Sequence, residues 1–199
     1  MTDKRIRKSK KALREALVEL LREQPFDRIT VTELCSRADV SRITFYAHYE
    51  DKYALADEIS CEMLQTAREN FDVLQRQNNQ GRDPVVSYCN LLDCILKLYD
   101  CHNVFFRHVS AGRSSYLYHT FYRYLFENVE QRIDAESGSL PPKYSLRGIA
   151  DFLCHGMWGF ISRRFEERVP MPQIRAEAQE LLRGLMSSGA LMQCCWPAV

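Results

Sequence analysis

The side chains of residues 42 to 52 suit hydrogen bonding to DNA better than burial in a core. Arg42 can donate two parallel hydrogen bonds to guanine in the major groove, and Ile43 can contact the methyl group of thymine. Donors that suit phosphate oxygens follow at Thr44, Tyr46, His48 and Lys52. The types and spacing of these residues therefore indicate a nucleic-acid contact that combines base reading with backbone positioning.

Two short helices joined by a tight turn would position these side chains. Thr30 and Glu33 fit a capping box at the start of the first helix. Asp39 occupies the turn, Ser41 is a good N-cap for a second helix over 42 to 48, and Asp51 can cap the helix that follows. This plan is a helix-turn-helix, whose second helix enters the major groove. The alternative is a helical hairpin with a solvated polar face.

The same residues resemble the DNA-binding domain of the TetR family of bacterial transcription regulators. The resemblance lies in Thr30-Val31, Val40-Ser41-Arg42 and the run from Thr44 to Tyr49, continued by Lys52 and Leu55. Asp39 stands where that family usually has glycine, and we expect the turn to survive because aspartate tolerates a left-handed backbone. Ile43 stands where a small residue is frequent, which makes the operator sequence uncertain. We predict DNA contacts at Thr30, Thr32, Ser41, Arg42, Ile43, Thr44, Tyr46, His48, Tyr49 and Lys52.

The resemblance implies an all-α fold in two domains. A three-helix helix-turn-helix head, residues 1-52, would be linked by a fourth helix to an effector-binding and dimerisation bundle, residues 53-199. Hydrophobic spacing agrees, since it predicts helices almost everywhere and no strand. The predicted helices span 6 to 23, 52 to 76, 85 to 100, 103 to 110, 115 to 134, 144 to 167 and 171 to 191, besides the pair described above.

Charge is concentrated at the N-terminus of a chain whose net charge is only +1 over 199 residues. The first 14 residues carry Asp3 as their one acidic side chain and seven basic ones: Lys4, Arg5, Arg7, Lys8, Lys10, Lys11 and Arg14. A basic arm of this kind adds salt-dependent affinity for phosphate. A frayed, solvated terminus is the alternative.

Composition also bounds the location and chemistry of the protein. No apolar run approaches the roughly 20 residues of a membrane span, and the basic N-terminus is unlike a secretory signal, so we expect a cytoplasmic protein. Its eight cysteines are scattered without a CxxC pair, which favours reduced thiols over a disulfide scaffold. Cys35, Cys89, Cys94 and Cys154 are expected in the core. A thiol sensor or metal site is the alternative reading, built from Cys101, His102, His108, Cys154 and His155.

The second half resembles, more loosely, the effector-binding and dimerisation region of the same family. Family members pair their last two helices with those of a partner subunit, and Gly156 and Gly159 would permit such a close approach. Ordinary packing within one chain is the alternative. The predicted homodimer contacts are Gly156, Gly159, Leu181, Leu182, Leu185 and Met186.

Aromatic side chains are abundant in this half, as core residues or as the lining of a pocket. The family binds small, usually apolar or aromatic effectors within its helical bundle, and ligand pockets are mostly apolar with a few polar groups. The predicted lining is Tyr88, Leu92, Tyr99, Phe105, Phe106, Tyr118, Phe121, Tyr122, Phe152, His155 and Trp158.

These features predict a one-component transcriptional regulator. We expect a repressor that binds a two-fold operator as a dimer and is released when a small molecule tilts the fourth helix. An activator of the same fold and a helical adaptor without an operator are the alternatives. We expect no enzymatic activity, cofactor or metal, because no nucleophile elbow, phosphate loop or zinc motif occurs.

Overall fold

The computed structural model describes residues 2–110, 114–136 and 145–187. Throughout these residues the regular secondary structure is helical, which confirms the predicted all-α class. The elements are α1 (Thr2–Glu23), a short 3-10 helix (Phe26–Arg28), α2 (Val31–Ala38), α3 (Arg42–Tyr46), α4 (Lys52–Asn78), α5 (Pro84–Cys101), α6 (Asn103–Ser110), α7 (Ser115–Glu136), α8 (Leu146–Glu166) and α9 (Met171–Ser187).

Most predicted boundaries lie within two or three residues of those observed. The largest difference is at the N-terminus, where α1 begins at Thr2 rather than at residue 6, so the predicted basic arm is part of a helix. The second helix of the predicted pair, α3, ends at Tyr46 rather than at residue 48. Predicted ends at residues 144 and 191 lie outside the described residues.

Local capping signals explain where several helices begin. Asp51 accepts a hydrogen bond from the backbone N–H of Ala54 at 2.8 Å, which confirms it as the cap of α4. Ser145 accepts in the same way from Gly148 at 3.1 Å and starts α8. The cap at Asp51 was predicted from the sequence, whereas the cap at Ser145 is seen only in the structure.

The described chain groups into two compact units. The first comprises Met1–Met63 and His102–Phe121, and the second comprises Leu64–Cys101 and Tyr122–Val199. Helices α4 and α7 contribute residues to both units. The predicted functional division at residue 52 stays a prediction, because compactness does not test which residues bind DNA or an effector.

The core of the first unit is built around α1, whose leucines repeat at helical spacing. Leu13, Leu17 and Leu21 are fully buried on one face of this helix. Phe106 and Phe121 pack edge to face against each other, with ring centroids 4.8 Å apart. The carbonyl of Leu21, near the end of α1, lies 2.5 Å from Nε2 of the buried His108 on α6. Apolar burial and this polar contact together hold α6 against α1.

The second unit contains a hydrogen-bonded amide cluster between α4 and α5. The side-chain amides of Asn78 and Asn90 donate to each other, at 2.9 and 2.8 Å. Asn90 also donates to Gln75 at 3.2 Å and is almost completely buried. A buried amide needs such partners, because desolvation without them costs a few kcal/mol. The cluster therefore fixes the register of the C-terminal end of α4 against α5.

None of the helices in the described parts of the chain is both long and apolar enough to cross a membrane.

Candidate DNA-binding and effector sites

The turn between α2 and α3 has the predicted capping chemistry. The backbone N–H of Glu33 donates to the Thr30 hydroxyl at 3.2 Å, and the backbone N–H of Thr30 donates to the Glu33 carboxylate at 2.8 Å. Asp39 ends α2 with φ 52° and ψ 46°, which confirms the expected left-handed residue at the family's glycine position. Ser41 accepts from the backbone N–H of Thr44 at 3.1 Å and starts α3. These local interactions set the angle at which α3 follows α2.

The two sides of α3 differ sharply in exposure. Phe45 is fully buried and Tyr49, just beyond the helix, is nearly so, whereas Ile43 is 84% exposed and Tyr46 is 50% exposed. The guanidinium carbon of Arg42 lies 5.9 Å from the centre of the Tyr46 ring, which suits a cation–π contact. A short helix with a buried inner face and a large exposed outer face matches the requirement for an element that inserts into a groove.

The Glu58 carboxylate joins α1, α4 and the segment after α3. It accepts from Lys10 at 2.5 Å, from Arg14 at 2.7 Å and from the phenol of Tyr49 at 2.9 Å. Burial raises the pKa of Glu58, but hydrogen bonds from Lys10 and Tyr49 outweigh it, so the net pKa is lowered. Burial and the same Glu58 contact raise the pKa of Tyr49. The predicted DNA residue Tyr49 is thus held inside the unit as a neutral phenol.

Two basic residues of the predicted arm are also committed to this cluster. Arg14 bonds both Glu58 and Glu62, while Lys10 pairs with Glu58. Residues 10 and 14 are one turn apart on α1, and residues 58 and 62 are one turn apart on α4, but this spacing within each helix does not predict which helix will be the partner. Lys4, Arg5, Arg7, Lys8 and Lys11 are exposed or partly exposed on α1 and can face phosphate.

Lys52 points into the first unit rather than away from it. Its ammonium group donates to the carbonyls of Phe26, Asp27 and Ile29 at 3.0, 2.9 and 2.9 Å. An ammonium has three protons, and three carbonyls accept here. Burial lowers the pKa of Lys52. In this structure Lys52 anchors the 3-10 helix, and a phosphate contact would compete with these bonds.

The remaining predicted DNA residues lie at or near the outer surface. His48 is half-buried, and its Nε2 lies 2.8 Å from the hydroxyl of Ser9 on α1. Thr44 lies 2.9 Å from Ser41 through their hydroxyls, and Thr32 is exposed on α2. Together with Thr30 they frame the exposed side of α3.

A pocket in the second unit fits the predicted effector site. With its open mouth included, it encloses about 490 Å³, and among the described residues no charged side chain lines it. The lining residues come from α5, α7, α8 and α9: Tyr88, Leu91, Leu92, Ile95, Leu125, Val129, Leu153, Cys154, Met157, Trp158, Ile161 and Leu182. Its apolar walls are typical of ligand sites.

Only part of the predicted effector set lies at this pocket. Tyr88, Leu92 and Trp158 line it, and Tyr99 packs on Trp158 with ring centroids 5.8 Å apart. Tyr122 pairs with His155 through its hydroxyl, at 2.5 Å from Nδ1, while Phe152 is 60% exposed. The other predicted residues, Phe105, Phe106, Tyr118 and Phe121, belong to the first unit.

The cysteines behave as the core prediction expected. Cys35, Cys89, Cys94 and Cys154 are buried. Burial raises the pKa of Cys94 to about 11 and that of Cys154 to about 12, so both thiols are neutral at physiological pH. Within the described ranges no three His, Cys, Asp or Glu side chains are grouped to hold a metal ion, and the alternative metal site therefore gains no support.

Comparison with known protein families agrees with the helix-turn-helix formed by α2 and α3. The family model for bacterial regulatory proteins of the tetR family matches residues 9–59, which contain α2, the turn and α3. Residues 9–59 therefore carry a DNA-binding domain of the TetR family.

The chain also resembles a curated transcriptional regulator over a short stretch of sequence. Over 47 residues the chain is 36% identical to an uncharacterized HTH-type transcriptional regulator, YxbF, of Bacillus subtilis (strain 168). That stretch covers 24% of this chain and only 12% of YxbF, so it concerns a single segment.

Solved structures resemble the chain over nearly its whole length. A protein assigned to the TetR family from Syntrophomonas wolfei has a TM-score of 0.74 at 12% identity, covering 96% of this chain and 99% of that one. FadR of Thermus thermophilus, a TetR-family transcriptional repressor in complex with lauroyl-CoA, has a TM-score of 0.57 at 20% identity, covering 96% and 100%. At these identities the likeness establishes the TetR fold.

The predicted dimer residues divide into exposed and buried groups. Gly156 and Gly159 are exposed, and no neighbouring side chain or helix lies within 4 Å of the position that a Cβ would occupy on either residue. Leu181 and Leu185 are exposed on α9. Leu182 and Met186 are buried within the chain, because each lies one residue, or about 100°, further around that helix.

Replacing Lys52 separates anchoring from phosphate binding. Lys52→Met keeps the apolar stem and removes the ammonium group, so three carbonyls lose a charged donor. We expect the free energy of unfolding in urea to fall by about 1–3 kcal/mol. Lys97→Met is the control, since Lys97 is exposed on α5 in the second unit and donates only to the side chain of Asn70, at 3.2 Å, among the hydrogen bonds described. Unchanged stability combined with weaker binding to duplex DNA would favour the phosphate contact instead.

Proposed function

We propose that this chain is a one-component transcriptional regulator that binds a two-fold DNA operator as a homodimer. The observation that carries the proposal is the capped α3, whose inner face is fixed by Phe45 while Arg42, Ile43 and Tyr46 are exposed. A solvated hairpin gains nothing by exposing a large apolar side chain beside an arginine and a tyrosine. A helix that binds in the major groove does gain by it, because base edges present both hydrogen-bonding groups and methyl groups.

The proposed contacts follow from the exposure of each side chain. Arg42 reads a guanine, and Ile43 meets the groove floor beside it. Thr44, Tyr46 and His48 position the helix on phosphates, and the basic residues at the start of α1 add salt-dependent affinity. Ser41, Thr30 and Thr32 lie beside these residues at the same surface.

We infer repression released by an effector as the mode of action. FadR of Thermus thermophilus, which shares this fold, is a transcriptional repressor with a bound acyl thioester. In a dimer the two recognition helices must be about 34–36 Å apart to reach successive major grooves. An effector that binds more tightly to a dimer with a different helix spacing shifts the population of dimers towards that state. The size of the shift is set by the difference in the effector's affinity for the two states. An activator would use the same contacts at a differently placed operator.

Selection from randomised duplexes at low salt tests the DNA reading. We expect the wild-type protein to enrich a two-fold symmetric sequence, and Arg42→Ala to bind that sequence about 10- to 100-fold more weakly, as for loss of a bidentate guanine contact. Arg76→Ala is the matched control, because Arg76 is exposed on α4 in the second unit. A helical adaptor would enrich no DNA sequence, and neither substitution would change its affinity for DNA.

The exposed apolar face of α8 and α9 is the proposed dimer interface. Phe152 and Leu181 are 60% and 49% exposed, and Gly156 and Gly159 lie along the same helix as Phe152. Residues 152, 156 and 159 share one face of α8 by their spacing, and exposed apolar surface can mark interaction sites. The absence of a side chain at the glycines lets a second helix approach closely.

An added side chain tests this interface. We expect Gly156→Arg to turn the dimer into a monomer in analytical ultracentrifugation, because the new side chain occupies the space that a partner helix needs. Gly81→Arg is the control, since a Cβ at Gly81 also meets open space but lies in the turn after α4. A Gly156→Arg protein that stays dimeric would place the interface elsewhere.

We propose that the pocket of the second unit binds the effector. Its walls lack charged side chains among the described residues, so they favour an uncharged apolar group. Trp158 lies in the wall and reports on occupancy. In a Trp196→Phe background, 1-decanol should change Trp158 emission and lower operator affinity.

A filled pocket provides the matching control. Cys154→Phe adds a ring to the pocket wall and should abolish the decanol response, whereas Cys61→Phe adds the same ring at an exposed position of α4 and should preserve it. An equal response in both variants would show that decanol acts at another site.

A further inference from the structure

Ile43 is the most exposed of the large hydrophobic side chains in the described parts of the chain. It is 84% exposed, while the next, Phe152, is 60% exposed. Two residues further on, Phe45 is fully buried, so the helix that carries Ile43 is firmly seated. An exposed isoleucine at this point of a fixed helix contributes little to the stability of the folded chain.

The side chains beside Ile43 already have partners. Thr44 pairs with Ser41 through their hydroxyls at 2.9 Å, and the guanidinium of Arg42 lies over the Tyr46 ring. Isoleucine has no donor or acceptor, and its β-branch leaves it few rotamers in a helix. Ile43 therefore presents a stiff apolar group to whatever α3 binds.

We propose that Ile43 recognises the C5-methyl group of a pyrimidine in the operator. This inference rests on the proposed function. On the major-groove edges of the four bases the thymine methyl is the apolar feature, and the other groups there are donors and acceptors. An apolar side chain gains nothing from those polar groups, whereas burial of a methyl against it is favourable.

The recognised group is a methyl rather than a base, and this has a second consequence. A 5-methylcytosine carries the same methyl at the same place in the groove. Cytosine methylation at the position facing Ile43 should therefore strengthen binding, although the base pair is G·C rather than A·T.

The experiment varies the methyl and the side chain independently. The tested positions are the thymines enriched in the operator that the wild-type protein selects, each examined in turn. Four duplexes carry thymine, uracil, cytosine or 5-methylcytosine there, and each is titrated with wild type and with Ile43→Ala. Uracil differs from thymine by the methyl alone and keeps the same base pairing.

We expect wild type to prefer thymine over uracil, and 5-methylcytosine over cytosine, by about fourfold each, as for burial of one methyl. Ile43→Ala should bind the members of each pair equally, and Ile43→Val should retain part of the preference. Such a cycle isolates the coupling between side chain and methyl. Ile6→Ala, which removes another exposed isoleucine of the first unit, should leave both preferences intact.

Two results would overturn the inference. If an operator is enriched but wild type binds thymine and uracil equally at every thymine, Ile43 does not read a methyl. If Ile43→Ala keeps the wild-type ratios, another side chain reads it. Failure to enrich any operator would instead remove the proposed function, and this inference with it.

Discussion

The position of the exposed helix α3 depends on one carboxylate that lies outside it. Glu58 on α4 accepts hydrogen bonds from Lys10 and Arg14 of α1 and from Tyr49, which lies three residues beyond the end of α3. A helix of five residues cannot hold its own orientation, because isolated helices of that length are unstable in water. The buried ring of Phe45 fixes its depth, and the phenol of Tyr49 fixes its far end through Glu58. The orientation of the exposed side of α3 is therefore fixed by the same contacts that join α1 to α4.

Local signals made the helix-turn-helix predictable. The capping box at Thr30, the N-cap at Ser41 and the left-handed Asp39 each depend on residues within a few positions along the chain. The two caps are hydrogen bonds between a side chain and a backbone group a few residues away, so the residue types alone are enough to predict them. The amphipathic spacing of the longer helices was equally informative, since each buried face repeats every three or four residues. For these reasons the fold and the capped hairpin of α2 and α3 could be predicted from the sequence.

The inward direction of two cationic side chains could not be predicted in the same way. Lys52 donates to carbonyls 23 to 26 residues earlier in the chain, and Lys10 meets Glu58 across 48 residues. No pattern in sequence announces that a basic side chain will bond distant backbone carbonyls rather than phosphate. The aromatic residues posed a similar problem, because a buried stripe and a pocket wall have the same spacing. Phe106 and Trp158, predicted to share a site, belong to different compact units.

The division of α3 into a buried and an exposed side bears on how such a protein diversifies. Ile43 contributes almost nothing to the folded core, and substitutions at exposed sites of this kind usually change stability by less than about 0.5 kcal/mol. After gene duplication, the two copies can accumulate different residues at position 43 without passing through an unfolded ancestor. Phe45, two positions away, has no such freedom. Two residues of one short helix thus differ in what limits their replacement: what α3 binds limits residue 43, and the packing of the core limits residue 45.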